Sequence, residues 1–293
     1  LLLFNKLLLK TLSKEEIAKY FQTESLSKLK AKIKYVITLD ADTELIVNSA
    51  ANLIATMAHP FNKPVIDEKL NKVVSGYGIL QPKVNIDVES SNRSTYVKLY
   101  GGLGGYDTYN PKVSNLYQDV FNEGSFMGKG IYDLDAFEKV LDNRFPENQI
   151  LSHDLLESNY LRSGFVCDIE FIDDFPSKFL NDMSRHHRWT RGDTQILPWL
   201  KRKVKNAHGE KVDNPVSPIG KWKMFDNLRR GFLDFSLLGI LLISLFSVNQ
   251  ENLWWLLFIV GVIALPVLFY LLDKLKGSFN MAVFLKIKPY KRF

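Results

Sequence analysis

Residues 35–44 read Tyr-Val-Ile-Thr-Leu-Asp-Ala-Asp-Thr-Glu, so a β-branched apolar run stops on two carboxylates, Asp40 and Asp42. Side chains at i and i+2 of an extended segment point the same way. The spacing therefore predicts two hard oxygen ligands converging on one divalent cation. Mg2+ or Mn2+ bound in this manner joins one or two carboxylates to the phosphates of a substrate. Two further groups suit the same chemistry. Asp154, in Leu151-Ser-His-Asp-Leu155, is a carboxylate able to take a proton from an attacking hydroxyl. Read in isolation, it would only complement a helix dipole. Arg185-His-His-Arg-Trp189 offers two guanidinium groups, Arg185 and Arg188, for phosphate oxygens and one aromatic face, Trp189. Alone, this cluster reads as a solvated basic face.

The elements that must position these groups follow from local patterns. The apolar run at 34–39 reads as a strand whose carboxyl end delivers the Asp pair, and ligands gather at such ends in open α/β sheets. Residues 1–33 read as amphipathic helices, with Ser13-Lys-Glu-Glu16 as a capping box opening the second. Apolar spacing predicts a helix over 46–58, then a polar loop over 60–72 containing Pro60 and Pro64. A strand is expected over 73–84, where Gly76 and Gly78 invite close backbone approach. The glycines of 101–111 do not match a dinucleotide fingerprint. Residues 122–137 combine a glycine-punctuated turn, a short strand and a helix start; Gly124, Gly128 and Gly130 would let a ligand approach the backbone. A helix at 150–163, a strand at 165–175 and the Arg-rich segment 181–197 follow.

The chain has 293 residues, 46% of them hydrophobic and 24% charged, which fits folded protein with room for one substantial domain. A net charge of +6 suits an anionic partner such as a phosphate-bearing substrate or a membrane surface. Nucleic acid is not expected, because the C-terminal Lys and Arg flank hydrophobic spans instead of covering a groove-sized face. The one cysteine, Cys167, forms no internal disulfide and supports no Cys-rich zinc site.

Two runs near the C-terminus predict a membrane hairpin. Residues 232–248 carry a single charge, Asp234, and 253–272 carry none; these lengths match the ~17–25 residues of a spanning helix. Trp254 and Trp255 suit an interfacial anchor. Lys221, Lys223, Arg229 and Arg230 precede the first run, Lys274, Lys276, Lys286 and Lys288 follow the second, and 249–252 has no Lys or Arg. The positive-inside rule then puts both flanks, and the globular part, in the cytoplasm. Residues 217–230 are expected to lie on the membrane surface or to lead plainly into the span.

Taken together, the three clusters satisfy what transfer from a nucleotide-sugar requires: a metal against the diphosphate, a base for the acceptor hydroxyl, and cations with an aromatic face for diphosphate and sugar. Their order, D-x-D, then an Asp after His153, then R-x-x-R-W, resembles the membrane-bound, inverting, processive glycosyltransferases of GT-A fold, the cellulose-synthase-like group. The surrounding words sharpen this: Met57-Ala-His-Pro60, Ile79-Leu-Gln-Pro82, Glu123-Gly-Ser-Phe-Met-Gly-Lys-Gly-Ile-Tyr-Asp133, Pro146-Glu-Asn148, Asp174-Phe-Pro-Ser177 and His187-Arg-Trp-Thr-Arg-Gly-Asp193. Over roughly 34–197 the chain is similar to the glycosyltransferase domain of cyclic β-1,2-glucan synthases.

That resemblance implies a fold class and roles. The fold is α/β, a partial GT-A domain over 1–225 (a Rossmann-like mixed sheet with helices on both faces) feeding a transmembrane region over 226–293. Asp40 and Asp42 would bind the diphosphate of UDP-glucose through Mg2+ or Mn2+, with Asp42 as the direct ligand. Asp154 would be the general base on the 2-hydroxyl of a growing glucan. Arg185, Arg188 and Trp189 would hold the diphosphate and line the acceptor site; Glu123, Gly124, Ser125 and Lys129 would contact donor or acceptor sugar. His153 stands where relatives outside this family have Glu. The implied setting is a bacterial inner membrane, with UDP-glucose, a glucan acceptor and membrane lipid as partners. The first uridine-binding strand of such domains is not found before residue 34, and the family's other modules are absent, so the chain is expected to be an internal piece of a longer protein and inactive alone. Two other classes remain. Haloacid-dehalogenase-type phosphatases also place Asp-x-Asp after an apolar strand, but want Thr or Val where Glu44 stands and leave Arg185-x-x-Arg188-Trp189 unexplained. A non-catalytic membrane scaffold would have no need of Asp154.

Overall fold

The computed structural model describes residues 2–21, 32–100, 115–146, 148–150, 154–246, 253–265, 268 and 272. The Gly-rich segment 101–111, Ser152 and His153, the connector 249–252 and the lysines from 274 onward lie outside the described residues.

The elements in chain order are α1 (Leu2–Leu8), α2 (Lys14–Tyr20), β1 (Tyr35–Thr38), β2 (Thr43–Leu45), α3 (Ser49–Ala58), β3 (Val65–Asp67), β4 (Lys72–Ser75), β5 (Ile79–Ile86) and α4 (Thr95–Tyr100). There follow α5 (Leu116–Phe121), β6 (Gly130–Asp133), α6 (Leu134–Leu141), α7 (Asp154–Leu161), β7 (Ser163–Asp173), α8 (Phe179–Gln195), β8 (Lys203–Lys205), β9 (Lys211–Asp213) and α9 (Pro218–Phe246). The capping box forms as expected. Glu16 N–H donates to Ser13 Oγ (3.2 Å) and Ser13 N–H to the Glu16 carboxylate (2.9 Å), so two orphan donors are met at once.

Five strands make one mixed sheet in the order β1-β6-β5-β7-β2. β5 and β7 run parallel, whereas β1–β6, β5–β6 and β2–β7 are antiparallel. Ile79 pairs with Tyr132 and the next residue, Leu80, with Ile131. Strand alternation sends these two pairs to opposite faces. Ile79 and Tyr132 join Phe137, Leu156 and Tyr160 from α6 and α7 in one core. Leu80 and Ile131 join Leu53 and Met57 of α3 in another. Helices thus cover both faces, as the α/β reading required. Each such side chain taken fully from water contributes about 1.5–3 kcal/mol.

Three details depart from expectation. The segment 60–72 is not all loop: Val65–Asp67 pairs antiparallel with β4. The strand expected over 73–84 is two strands, because Gly76 adopts φ +65° and turns the chain between β4 and β5. A hairpin, β8–β9, was not expected, although Lys203-Val-Lys and Lys211-Val-Asp alternate around Gly209, which turns at φ +80°.

The chain divides into two compact units, Leu1–Leu228 and Arg229–Phe293. In the second unit, α9 from residue 229 and a helix at 253–265 present Phe235, Ile243, Phe246 and Trp254 to the exterior. The spans expected at 232–248 and 253–272 are helical over 232–246 and 253–265. Among the described residues, no helix is long and apolar enough to cross a membrane. Arg229, Arg230 and Asp234 charge the start of the apolar part of α9.

Candidate active site

β1 and β2 lie on opposite edges of the five-stranded sheet, yet only residues 39–42 link them. A flat sheet of this size is about 19 Å from edge to edge. The linker contains a tight turn, closed by Thr43 N–H donating to the Asp40 carbonyl (3.2 Å). With that turn its reach falls to about 14 Å. The sheet therefore curls until its edges approach, and the linker crosses the mouth of the curl. Asp40 and Asp42 sit on this linker, with Asp42 in the turn itself. This corrects the extended-strand reading: turn geometry, not strand alternation, orients the two carboxylates.

The β1–β6 register, Tyr35 with Asp133 through Thr38 with Gly130, continues past the last ladder pair and brings Asp40 against the residues preceding Gly130. Lys129 Nζ lies 3.0 Å from Asp40 Oδ2 and also pairs with the carboxylate of Asp173. Asp173 ends β7 opposite Thr43, whose Oγ1 donates to it (2.7 Å). Burial by itself would lower the pKa of Lys129; Asp173 and then Asp40 outweigh it and leave the ammonium above its ordinary value. Asp42 is exposed and makes no hydrogen bond or ion pair with a described residue.

The loop before Lys129 is fixed from below. Met127 N–H donates to Oε1 of the wholly buried Gln81 (2.9 Å). Gly128 takes φ +85°, and a Cβ there would meet Asp154 Oδ2 at 3.2 Å. Asp154 opens α7, in the first turn, where the helix dipole favours negative charge. Glu157, one turn later, is buried, and burial followed by the charge of Asp154 pushes its pKa up to about 8. At neutral pH α7 thus opens with a neutral Glu157 behind Asp154. Nothing in the sequence around Asp154 signalled that Glu157 would be inside.

The Arg-rich motif falls on α8, and the helix divides it. Arg185 donates to the buried Asp182 (2.7 Å) and lies over both Phe175 (5.1 Å) and Trp189 (4.9 Å). Asp182 also accepts from the Tyr96 hydroxyl (2.6 Å). Phe175 stands two residues beyond Asp173, so the platform under Arg185 continues from the strand end that meets Lys129. Trp189 is 47% exposed. Arg188 instead lines an open groove with Leu180, Met183, Ser184 and His187. The structure brings Arg185 and Trp189 together, while Arg188 is among the residues that line the groove.

Glu123, Gly124 and Ser125 are tied into the surrounding fold. The carbonyls of Glu123 (3.3 Å) and Gly124 (2.6 Å) accept from the ammonium of Lys223, which is 1% exposed. Gly124 N–H donates to Ser163 O (2.7 Å), and a Cβ at Gly124 would collide with Phe165 N at 2.8 Å. That glycine lets β7 approach closely. The Glu123 carboxylate faces Arg162 (3.9 Å), and Ser125 is buried. Burial lowers Lys223 to about 8. Sequence patterns had marked Lys223 only as a flanking charge; its role depends on a contact 99 residues away.

Among the described residues, no group of three or more His, Cys, Asp or Glu could hold a metal by itself. Asp40 and Asp42 nevertheless supply hard oxygen donors suited to Mg2+ or Mn2+ shared with substrate phosphates. The Lys129 ammonium against Asp40 shows that this mouth already accommodates a cation.

No protein-family model matches the chain. Over 239 residues, 80% of its length, it is 39% identical to the cyclic β-(1,2)-glucan synthase NdvB of Rhizobium meliloti (strain 1021). It spans 8% of that protein. With an identity this high over most of its length, the chain belongs to the cyclic β-(1,2)-glucan synthase family.

Proposed function

We propose that this chain is the catalytic part of a processive, inverting glucosyltransferase that moves glucose from UDP-glucose to a growing β-1,2-glucan. Family membership supports glucan synthesis. The observation that carries the site assignment is the Gly128–Lys129 turn, which faces Asp154 with one residue and pairs with Asp40 through the next. In this reading the acceptor 2-hydroxyl attacks C1 of the donor glucose. A new C1–O bond forms, the bond to the diphosphate breaks, and its electron pair leaves with UDP. The hydroxyl proton passes to Asp154, beside which Gly128 leaves room. Mg2+ or Mn2+ bound by Asp42 and Asp40 would neutralise charge on the leaving diphosphate. Arg185 lends positive charge to the same group, and Trp189 a face for the acceptor sugar. Arg188, in its groove, would meet the glucan further along.

We place the chain at a bacterial inner membrane, with the apolar helices of 229–293 as a hairpin and the site on the cytoplasmic face. The exposed apolar side chains of those helices and the basic residues flanking them support this. The deciding test is glucan synthesis from UDP-glucose in membranes carrying the full-length parent protein, wild type beside Asp154→Asn. Metal-dependent β-1,2-glucan from wild type and none from the variant is the expected result. Equal product from both would remove Asp154 from the role of base. Synthesis from a different nucleotide-sugar would keep the mechanism and change the donor.

A further inference from the structure

We infer that Lys129 is an internal counter-cation of the carboxylate mouth, and that it sets how strongly the site binds a divalent metal by competing for Asp40. This rests on the metal-assisted reading above. Lys129 has only 13% of its side chain exposed, although both of its partners end on the rim of the curled sheet. Asp40 is 60% exposed at its side chain and Asp42 is open, so the mouth collects carboxylates from the end of β7 and from the linker between β1 and β2. Asp40, Asp42 and Asp173 carry three negative charges when ionised, and Lys129 offsets one. Without it, the carboxylates of the linker and of β7 would repel each other across the opening.

The ammonium that relieves this repulsion lies against Asp40 Oδ2. A metal drawing on that carboxylate meets a positive charge already there. Asp173 gives Lys129 a second anchor, so the side chain can yield Asp40 without leaving the mouth. Asp42, which has no such partner, is then the carboxylate that engages the metal first. Lys129 thereby keeps the site weak for metal alone and favours binding when a diphosphate adds its own negative charge. The fold brings this about through Gly128, whose positive φ directs the following residue into the mouth.

The test is a Mn2+ titration of the purified full-length protein without nucleotide-sugar, read as loss of the free Mn2+ electron paramagnetic resonance signal. The site is identified as the binding removed by Asp42→Asn. Lys129→Gln and Lys129→Met should both tighten it about tenfold, since a unit positive charge is lost beside the ligand. Lys129→Arg should stay within about twofold of wild type, because the charge remains. The Gln variant keeps a hydrogen-bonding group between the two carboxylates and guards against collapse of the mouth in the Met variant. Unchanged or weaker Mn2+ binding in Lys129→Gln, with the Asp42-dependent site present in wild type, would overturn the inference while leaving the metal site standing. Absence of an Asp42-dependent site in wild type and in Lys129→Gln alike would overturn both.

Discussion

The Lys129 ammonium lies 3.0 Å from the Asp40 carboxylate, although 88 residues separate them in the chain and β1 ends two residues before Asp40. The contact exists because β1 and β6 pair antiparallel, so that the end of one strand meets the residues that precede the other. It makes the turn before β6 part of the site, and several outcomes depend on that turn and on what supports it.

Gly128→Ala should reduce glucan synthesis by the full-length protein at least tenfold. An L-residue at φ +85° is strained by about 1–3 kcal/mol. Its methyl would also stand 3.2 Å from Asp154 Oδ2, the side from which the proposed mechanism brings the acceptor hydroxyl. Initial rates beside hydrogen-exchange protection of β6 separate the two effects. A rate close to wild type would show that the space beside Asp154 is not used.

Glu157→Gln should stabilise α7 at neutral and alkaline pH. The folded pKa of about 8 lies above the ordinary 4.5, so between these values the folded state holds a proton that the unfolded state has lost. Stability then falls as pH rises through that window. Gln carries no such proton. Hydrogen exchange of α7 amides in the full-length protein should show a gain for the variant that grows from pH 5 to pH 8 and disappears near pH 4.

Lys223→Met should loosen the loop at 123–125. At neutral pH it deprives two carbonyls of their donor and should cost about 1–3 kcal/mol locally. The pH dependence runs opposite to that of Glu157. With a folded pKa near 8, below the ordinary 10.5, the unfolded state holds more protons between these values, so wild-type stability rises with pH across that window. The Met variant should lose this rise. Exchange of the Gly124 and Ser125 amides, followed from pH 7.5 to 10, reads both effects.

Asp182→Asn should disorder the platform that holds Arg185. Asp182 is 2% exposed, accepts from Arg185 and Tyr96, and lies 3.7 Å from His186. Loss of charge-assisted bonds should cost about 2–3 kcal/mol. Raised KM for UDP-glucose with faster exchange in α8 is the expected outcome. Unchanged KM would detach Arg185 from the donor.

Much was legible in the residues themselves. An apolar strand leading to Asp40, a capping box at Ser13, apolar periodicity in α3 and a strand after Gly78 each depend on neighbours within a few positions. Local chemistry decides those, and the α/β class follows from them. The words around Asp154 and Arg185-His-His-Arg-Trp189 carried enough identity to mark a family. The tertiary structure alone decided which of the marked residues meet. It put Asp40 and Asp42 on a linker across a curled sheet, because β1 and β2 occupy opposite edges. It stacked Arg185 on Trp189, one turn on along α8, and set Arg188 in a groove with Ser184 and His187. It tied the Glu123 and Gly124 carbonyls to Lys223, which donates from α9. It placed Glu157 and Asp173 in the site although no local pattern marks a carboxylate for burial or pairing. Charge pairing and burial join segments far apart in sequence, and a chain read from neighbour to neighbour carries no distance between them.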